Sequence, residues 1–155
     1  MLSVLIVCRQ VDDMLLRTIK SVEALKPQIL VDISSDGKEA LGVRKNRLID
    51  QSAYEWVLVL DTDEMISEKL SNEIRVIIKN VSVDINGYEI PYQNYIFGKP
   101  VRFGGEQYAR VQLFSKSYGS FTRVSVHEHP IVERKIGKLK GVINHYSYVS
   151  LGKVL

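Results

Sequence analysis

The sequence predicts an α/β domain, with a parallel sheet and flanking helices over residues 1–80 and a strand-rich second half over 81–155. Three observations lead there. Ser3 to Val7, Ile29 to Ile33 and Trp56 to Leu60 are short, continuous apolar runs rich in β-branched residues, the pattern of strands buried on both faces. Stretches of helical period separate them, giving β-α-β-α-β-α, which implies parallel pairing through right-handed crossovers. After Asn80 the apolar period shortens to about two residues and glycines recur at Gly87, Gly98, Gly104, Gly105, Gly119, Gly137 and Gly141.

Each element has a local reason. After the first strand, Asp12 and Asp13 offer helix-capping oxygens. Leu15, Ile19 and Val22 then recur on one helical face, with Leu16 beside them, and Pro27 stops the helix. The second strand ends in the turn cluster Ser34-Ser35-Asp36-Gly37. A helix from about Lys38 to Ser52 carries Ala40, Leu41, Leu48 and Ile49. The third strand runs directly into Asp61-Thr62-Asp63-Glu64, and Ser67 caps a helix whose apolar face is Leu70, Ile74, Ile77 and Ile78. In the second half, Gly87 to Tyr92, Arg110 to Lys116, Arg123 to His127 and Val142 to Tyr146 alternate as half-buried strands do, in a mixed or antiparallel arrangement. With no linker or repeat between them, the halves are expected to share one core. The chain stops shortly after Ser150-Leu151-Gly152 without a closing element, as a trimmed or minimal version of something longer would.

Composition narrows the function. Of 155 residues, 45% are hydrophobic and 25% charged, which excludes collagenous, coiled-coil and disordered classes. A net charge of +3 is too mild to argue for nucleic acid, and no continuous basic stripe accompanies the aromatics. One cysteine, Cys8, leaves no internal disulfide and fits a reducing compartment. No apolar run reaches the roughly 18 residues of a membrane span. The N-terminal apolar run has neither the flank nor the spacer of a signal peptide.

The most informative chemistry is Asp61, Asp63 and Glu64 at the carboxyl end of a buried strand, where open α/β sheets bind ligands. Two aspartates one residue apart repel unless a cation or donor lies between them, and Mg²⁺ or Mn²⁺ with substrate phosphates resolves this. A solvated acidic turn is the plainer alternative. Asp32 and Asp36 follow another strand, as turn residues or as acceptors for a nucleotide base or ribose. Arg44-Lys45-Asn46 lies in an amphipathic helix, and the plain expectation is that at least one of the two cations sits on a solvated face. The other reading turns a cation toward a diphosphate. His127-Glu128-His129 offers a general-base candidate in Glu128 and a metal reading in the two histidines, against a plain surface loop. The metal reading is disfavoured for zinc, because no cysteine or further acid lies at ligand spacing. His145, among tyrosines, is more often structural than a ligand. Tyr92, Tyr95, Phe97 and Phe103 suit sheet packing, with one or two of them free to platform a sugar ring.

In this order the segments resemble the family 2 inverting glycosyltransferases, closest to the bacterial branch that adds sugars to lipopolysaccharide core. Ser3-Val-Leu-Ile-Val with Leu16-Arg-Thr-Ile-Lys-Ser-Val resembles the family's first strand and helix. Leu30-Val-Asp-Ile-Ser-Ser-Asp-Gly resembles its VVDSGSTDGT loop, one residue shorter and with Lys38 in place of Thr. Lys45-Asn46 and Glu55-Trp-Val-Leu-Val-Leu-Asp-Thr-Asp-Glu resemble its asparagine helix, strand and DxDE motif. Gly87-Tyr-Glu-Ile-Pro, Gly98-Lys-Pro-Val-Arg-Phe-Gly-Gly, Arg110-Val-Gln-Leu-Phe, Val126-His-Glu and His145-Tyr-Ser-Tyr follow its C-terminal half. Gln10-Val11 stands where the family often has Asn-Glu.

The resemblance implies a GT-A, Rossmann-like fold with a nucleotide-sugar-binding half (1–80) and an acceptor-binding half (81–155). It implies transfer of a sugar, with inversion, from a nucleoside-diphosphate sugar to a saccharide or lipid-linked saccharide. Asp32 would contact the base, Arg44 or Lys45 the ribose or phosphate, and Asp61 the ribose or a metal-bound water. Asp63 would bind the Mg²⁺ or Mn²⁺ and Glu128 would be the base. Glu106, Arg110, His127 and His145 would belong to the acceptor or metal side. The implied location is cytoplasmic, with room for peripheral association at the inner face of the membrane. Two further classes stay open: a degenerate GT-A module that binds nucleotide or glycan without turnover, and a nucleotidyltransferase. The latter would want a Gly-rich basic loop that Arg9-Gln10-Val11-Asp12 does not supply.

Overall fold

The computed structural model describes residues 1–101, 108–123, 128–133 and 135–147. In the first half, β1 (Leu2–Cys8), α1 (Asp13–Val22), β2 (Gln28–Ile33), α2 (Leu41–Gln51), β3 (Trp56–Asp61), β4 (Glu64–Ile66) and α3 (Glu68–Lys79) follow one another. In the second come β5 (Ile85–Ile96), β6 (Lys99–Pro100), β7 (Ala109–Ser115), β8 (Gly119–Phe121), β9 (Pro130–Val132), β10 (Lys135–Lys138) and β11 (Ile143–Ser147). Among the described residues the fold is mixed α/β, with three α-helices around one nine-stranded sheet in the order β2-β1-β3-β7-β5-β11-β4, plus β10 and β6 on β5. Strands β8 and β9 form a separate ribbon.

β1 pairs in parallel with β2 and with β3, as the β-α-β-α-β pattern requires. Every residue of β1 is buried. Leu15 and Val22 of α1 and Leu70 and Ile74 of α3 pack on one face with Leu58, Leu60, Ile90 and Ile143. Leu48 and Ile49 of α2 pack on the other with Leu5, Val57, Val59, Phe114 and Phe121. The core on the first face therefore draws on both halves of the chain.

The helix ends follow the capping residues. Asp12 accepts the Leu15 amide at 2.9 Å, and Ser67 accepts the Leu70 amide at 3.1 Å. Helix α2 starts at Leu41 rather than near Lys38. Asp36 closes a local turn by accepting the Lys38 amide at 3.0 Å, and Gly37 takes a φ of 65°. That turn consumes the residues that would have been the first helical turn.

The second half is mixed, as expected: β7 is antiparallel to β3 and β5, whereas β10 and β11 run parallel to β5. β5 outruns its expected Gly87 to Tyr92 span, and its Pro91 falls where the neighbour changes from β10 to β11. A residue without an N–H fits such a gap in the ladder. The short strand β4 is not visible as a period, and it pairs antiparallel with β11. Since β4 follows β3 in the chain but closes the far end of the strand order, the sheet curls back on itself. The strand expected from Arg123 to His127 lies largely outside the described residues. No helix among the described residues is long and apolar enough to cross a membrane.

Candidate functional site

At the carboxyl ends of β1, β2 and β3 the backbone opens into a cleft of about 780 Å³, lined by Cys8, Arg9, Gln10, Asp12, Ile33, Ser35 and Thr62. A second opening of about 560 Å³ is lined by Ala109, Arg110, Val111, Glu128, His129 and Pro130. A cluster of charged side chains bears on both: Asp61 adjoins Thr62 of the first, and Glu128 belongs to the second.

Helix α2 supplies the cations. Lys45 is 3% exposed, and its ammonium donates to Glu128 Oε1 at 2.8 Å and lies 3.5 Å from Asp61 Oδ1. It also lies over the Phe121 ring, 4.9 Å from the centroid. Burial pulls the Lys45 pKa down, but Asp61 and Glu128 outweigh it and the net direction is up. Burial likewise pushes Glu128 up, and the hydrogen bond and charge of Lys45 outweigh that, so its carboxyl sits below the ordinary value. Asn46, the next residue, clamps α2 to β8: its amide donates to the Phe121 carbonyl at 3.0 Å and accepts the Phe121 amide at 2.8 Å.

Arg44 points elsewhere. It is 5% exposed, and its guanidinium donates to Asp32 Oδ2, to the Asp32 carbonyl and to the Cys8 carbonyl, each at 3.1 Å. The exposed Arg47 completes the set, 3.6 Å from Asp32 Oδ2. The expectation that one of Arg44 and Lys45 lies on a solvated face therefore does not hold. Both are buried because carboxylates on other elements compensate them, and Arg47 takes the exposed position. Asp32, next to the cleft-lining Ile33, has a mostly covered side chain that contacts both of these arginines.

The acidic segment divides. Asp61 and Asp63 are partly exposed, whereas Glu64 is 3% exposed. Glu64 Oε1 accepts the Asp61 amide at 2.7 Å. Its carboxyl also bonds the Tyr92 hydroxyl, which accepts from Gln112 Nε2 at 2.9 Å. Burial first, and then the charge of Asp61, push Glu64 up to about 8. Glu64 thus belongs to the wall behind the acidic turn, not to its solvated tip. Its direction follows from β4, where pairing with β11 turns Glu64 toward Tyr92. The Thr62 carbonyl is held by Thr18 Oγ1 at 2.6 Å, and the Asp63 carbonyl by the Tyr146 amide at 2.9 Å.

His145 of β11 joins this turn. Its Nε2 is 2.9 Å from Asp63 Oδ2 and its Nδ1 is 3.1 Å from Asn94 Oδ1. The Asp63 hydrogen bond raises its pKa against burial. Among the described residues no group of three or more His, Cys, Asp or Glu is placed to hold a metal ion. Asp63 and His145 do converge, as a hydrogen-bonded pair 2.9 Å apart. A cation held there would have to replace that hydrogen bond and take its remaining ligands from phosphates and water.

The structure therefore brings Asp61, Asp63, Lys45, Glu128 and His145 together, with Asp32 and Arg44 as a neighbouring pair. Arg110 lines the second opening beside Glu128. Glu106, His127 and Phe103 lie outside the described residues. Asn94 and Gln112 were not legible as site residues, because each acts through a partner at least 20 residues away, and Tyr92 and Asn46 were singled out without the hydrogen bonds that tie them to Glu64 and Phe121. Tyr95 stacks on Tyr146 with centroids 4.7 Å apart, as a packing role predicts. Comparison of the sequence with protein-family models and with curated proteins returned no match in either case.

Proposed function

We propose that the protein is a GT-A-type glycosyltransferase that moves a sugar, with inversion, from a nucleoside-diphosphate sugar to a saccharide or lipid-linked saccharide. The observation that carries this reading is Lys45, which ties Asp61, beside one opening, to Glu128 in the other. A donor bound over the first and an acceptor bound in the second would meet at that bridge.

Asp32 would accept from the base, with its direction fixed by Arg44 and Arg47. Asp63, together with His145, would hold Mg²⁺ or Mn²⁺. When bound, such a cation supplies Lewis acidity toward the leaving diphosphate. Glu128 would take the proton of the acceptor hydroxyl as that oxygen bonds the anomeric carbon. The bond from that carbon to the diphosphate oxygen breaks, and its electron pair leaves with the nucleotide. Lys45 lowers the basicity of Glu128 while it donates to it. A diphosphate arriving beside Asp61 gives the ammonium another anionic partner, and Glu128 regains basicity as the lysine turns to it.

One observation favours a second reading. The same lowered pKa makes Glu128 a weak base without that diphosphate, as in a module that binds nucleotide without turnover. A screen of nucleotide sugars with and without Mn²⁺ separates the two. Metal-dependent release of nucleoside diphosphate, accelerated by an acceptor, supports transfer. Tight binding without release supports the module, and neither binding nor release sinks both.

A further inference from the structure

Arg110 is the second residue of β7 and is exposed. Its guanidinium lies over two tyrosine faces, 5.1 Å from the Tyr108 centroid and 5.9 Å from that of Tyr92. Those rings stack on each other at 4.8 Å and 20°. Tyr92 is 4% exposed, and its hydroxyl is bonded by Glu64 and Gln112. The platform under Arg110 is therefore fixed to the same network that holds the Asp61 amide. Among the described residues no carboxylate lies within ion-pair distance of Arg110, while Arg44, Lys45 and Arg47 all have such partners. A guanidinium held against aromatic rings leaves N–H donors for other partners, and its planar fork matches phosphate or carboxylate oxygens. Its rotamer entropy is also partly spent before any ligand arrives.

Arg110 shares the opening of about 560 Å³ with Glu128. That opening pairs an acceptor of hydroxyl protons with an oriented cation that, among the described residues, has no ion-pair partner and whose charge also acts on Glu128. A neutral sugar needs only the first. We propose that this opening takes a saccharide bearing an anionic substituent, phosphate or carboxylate, and that Arg110 grips the substituent while Glu128 faces a hydroxyl. The assignment of this saccharide as the acceptor rests on the glycosyl-transfer reading; the anion site itself does not.

The test is calorimetric or NMR titration of the full chain with glucose, glucose 6-phosphate, glucuronate and inorganic phosphate. Parallel titrations use a panel of nucleoside diphosphates with Mn²⁺. The expected result is that one or both anionic sugars bind at least about tenfold more tightly than glucose, as a charge-assisted bidentate contact allows. The tighter of the two names the substituent. Arg110→Gln should erase that preference, with unchanged thermal unfolding because the side chain is exposed. Arg110→Lys should restore only part of it, since a lysine carries the charge without the fork. Nucleoside-diphosphate affinity should stay within about twofold in both variants. Equal binding of charged and neutral sugars, or a preference that survives Arg110→Gln, overturns the proposal. A parallel loss of nucleoside-diphosphate affinity in Arg110→Gln also overturns it, because the anion gripped would then be the donor's diphosphate. A wild type that discriminates anionic sugars through Arg110 but binds no nucleotide keeps the anion site and removes the glycosyl-transfer reading.

Discussion

Glu128 is already engaged, since Lys45 donates to it at 2.8 Å. A general base acts on the transition state and contributes about 10²–10⁴-fold. Glu128→Gln keeps the shape and removes the basicity. Turnover should fall at least about a hundredfold while the Kd for nucleoside diphosphate holds; turnover within a few-fold of wild type would move the base elsewhere. Lys45→Met tests the pair from the other side. Burial pushes Glu128 up, and Lys45 does most to bring it down, with a backbone hydrogen bond and the charge of Arg110 behind it. Without Lys45, the acidic limb of kcat/KM should shift to higher pH, and an unmoved limb would show that Glu128 does not set it. Asp63 has a side chain 38% exposed, bonded to His145. Asp63→Ala should abolish Mn²⁺-dependent nucleoside-diphosphate binding and leave thermal unfolding within a few degrees of wild type. Calorimetry that finds wild-type affinity would return Asp63 to the role of a turn residue.

Among the elements, α2 does most to build the site, since it delivers Arg44, Lys45 and the Asn46 clamp from successive residues. Its approach to the strand beside it depends on Gly42. A Cβ there would run into the Thr122 carbonyl oxygen, which is backbone and has no rotamer to yield. Gly42→Ala should therefore cost about 1–3 kcal/mol by overpacking, although alanine is the better helix former by about 1 kcal/mol. Chemical denaturation measures this directly, and a neutral or stabilising result would mean that α2 sits further from Thr122. Because Lys45 moves with the helix, the same variant should weaken nucleotide binding as well.

At the scale of the molecule, Glu64 and His145 are the described groups whose raised values bear on stability between about pH 5 and pH 8. Glu64 is raised from 4.5 by burial, and then by Asp61, so the folded state keeps its proton where the unfolded chain has lost it. Its stability contribution is full below 4.5 and is lost as pH rises toward the folded value of about 8. His145 is raised from 6.5, chiefly by its bond to Asp63. The stability it contributes is full below 6.5 and is lost as pH rises through the folded value. Both signs agree, so in EDTA the melting temperature should decline from about pH 5 to about pH 8. Glu64→Gln should flatten the lower part of that decline and His145→Gln the upper part. A melting temperature that rises over this range would contradict both placements.

The first three strands, α1 and α3 were legible in the sequence because their signals are local. A continuous apolar run, a capping aspartate or serine and a helical repeat each fit within a few residues, and neither tertiary pairing nor packing overrode them. The position of Asp61 and Asp63 at a strand's carboxyl end came with them. The tertiary structure alone decided that Glu64 turns inward, since β4 is three residues long and its partner β11 lies nearly 80 residues on. It alone decided that Arg44 and Lys45 are both buried. A charge in an amphipathic helix reads as solvated unless its counter-ions are known, and here they are Asp32 of β2, Asp61 of β3 and Glu128 just ahead of β9. It alone placed His145 on Asp63 and laid Arg110 on Tyr108 and Tyr92. Hydrophobic period is a property of neighbours along the chain, whereas charge compensation belongs to pairs that only the folded sheet brings together.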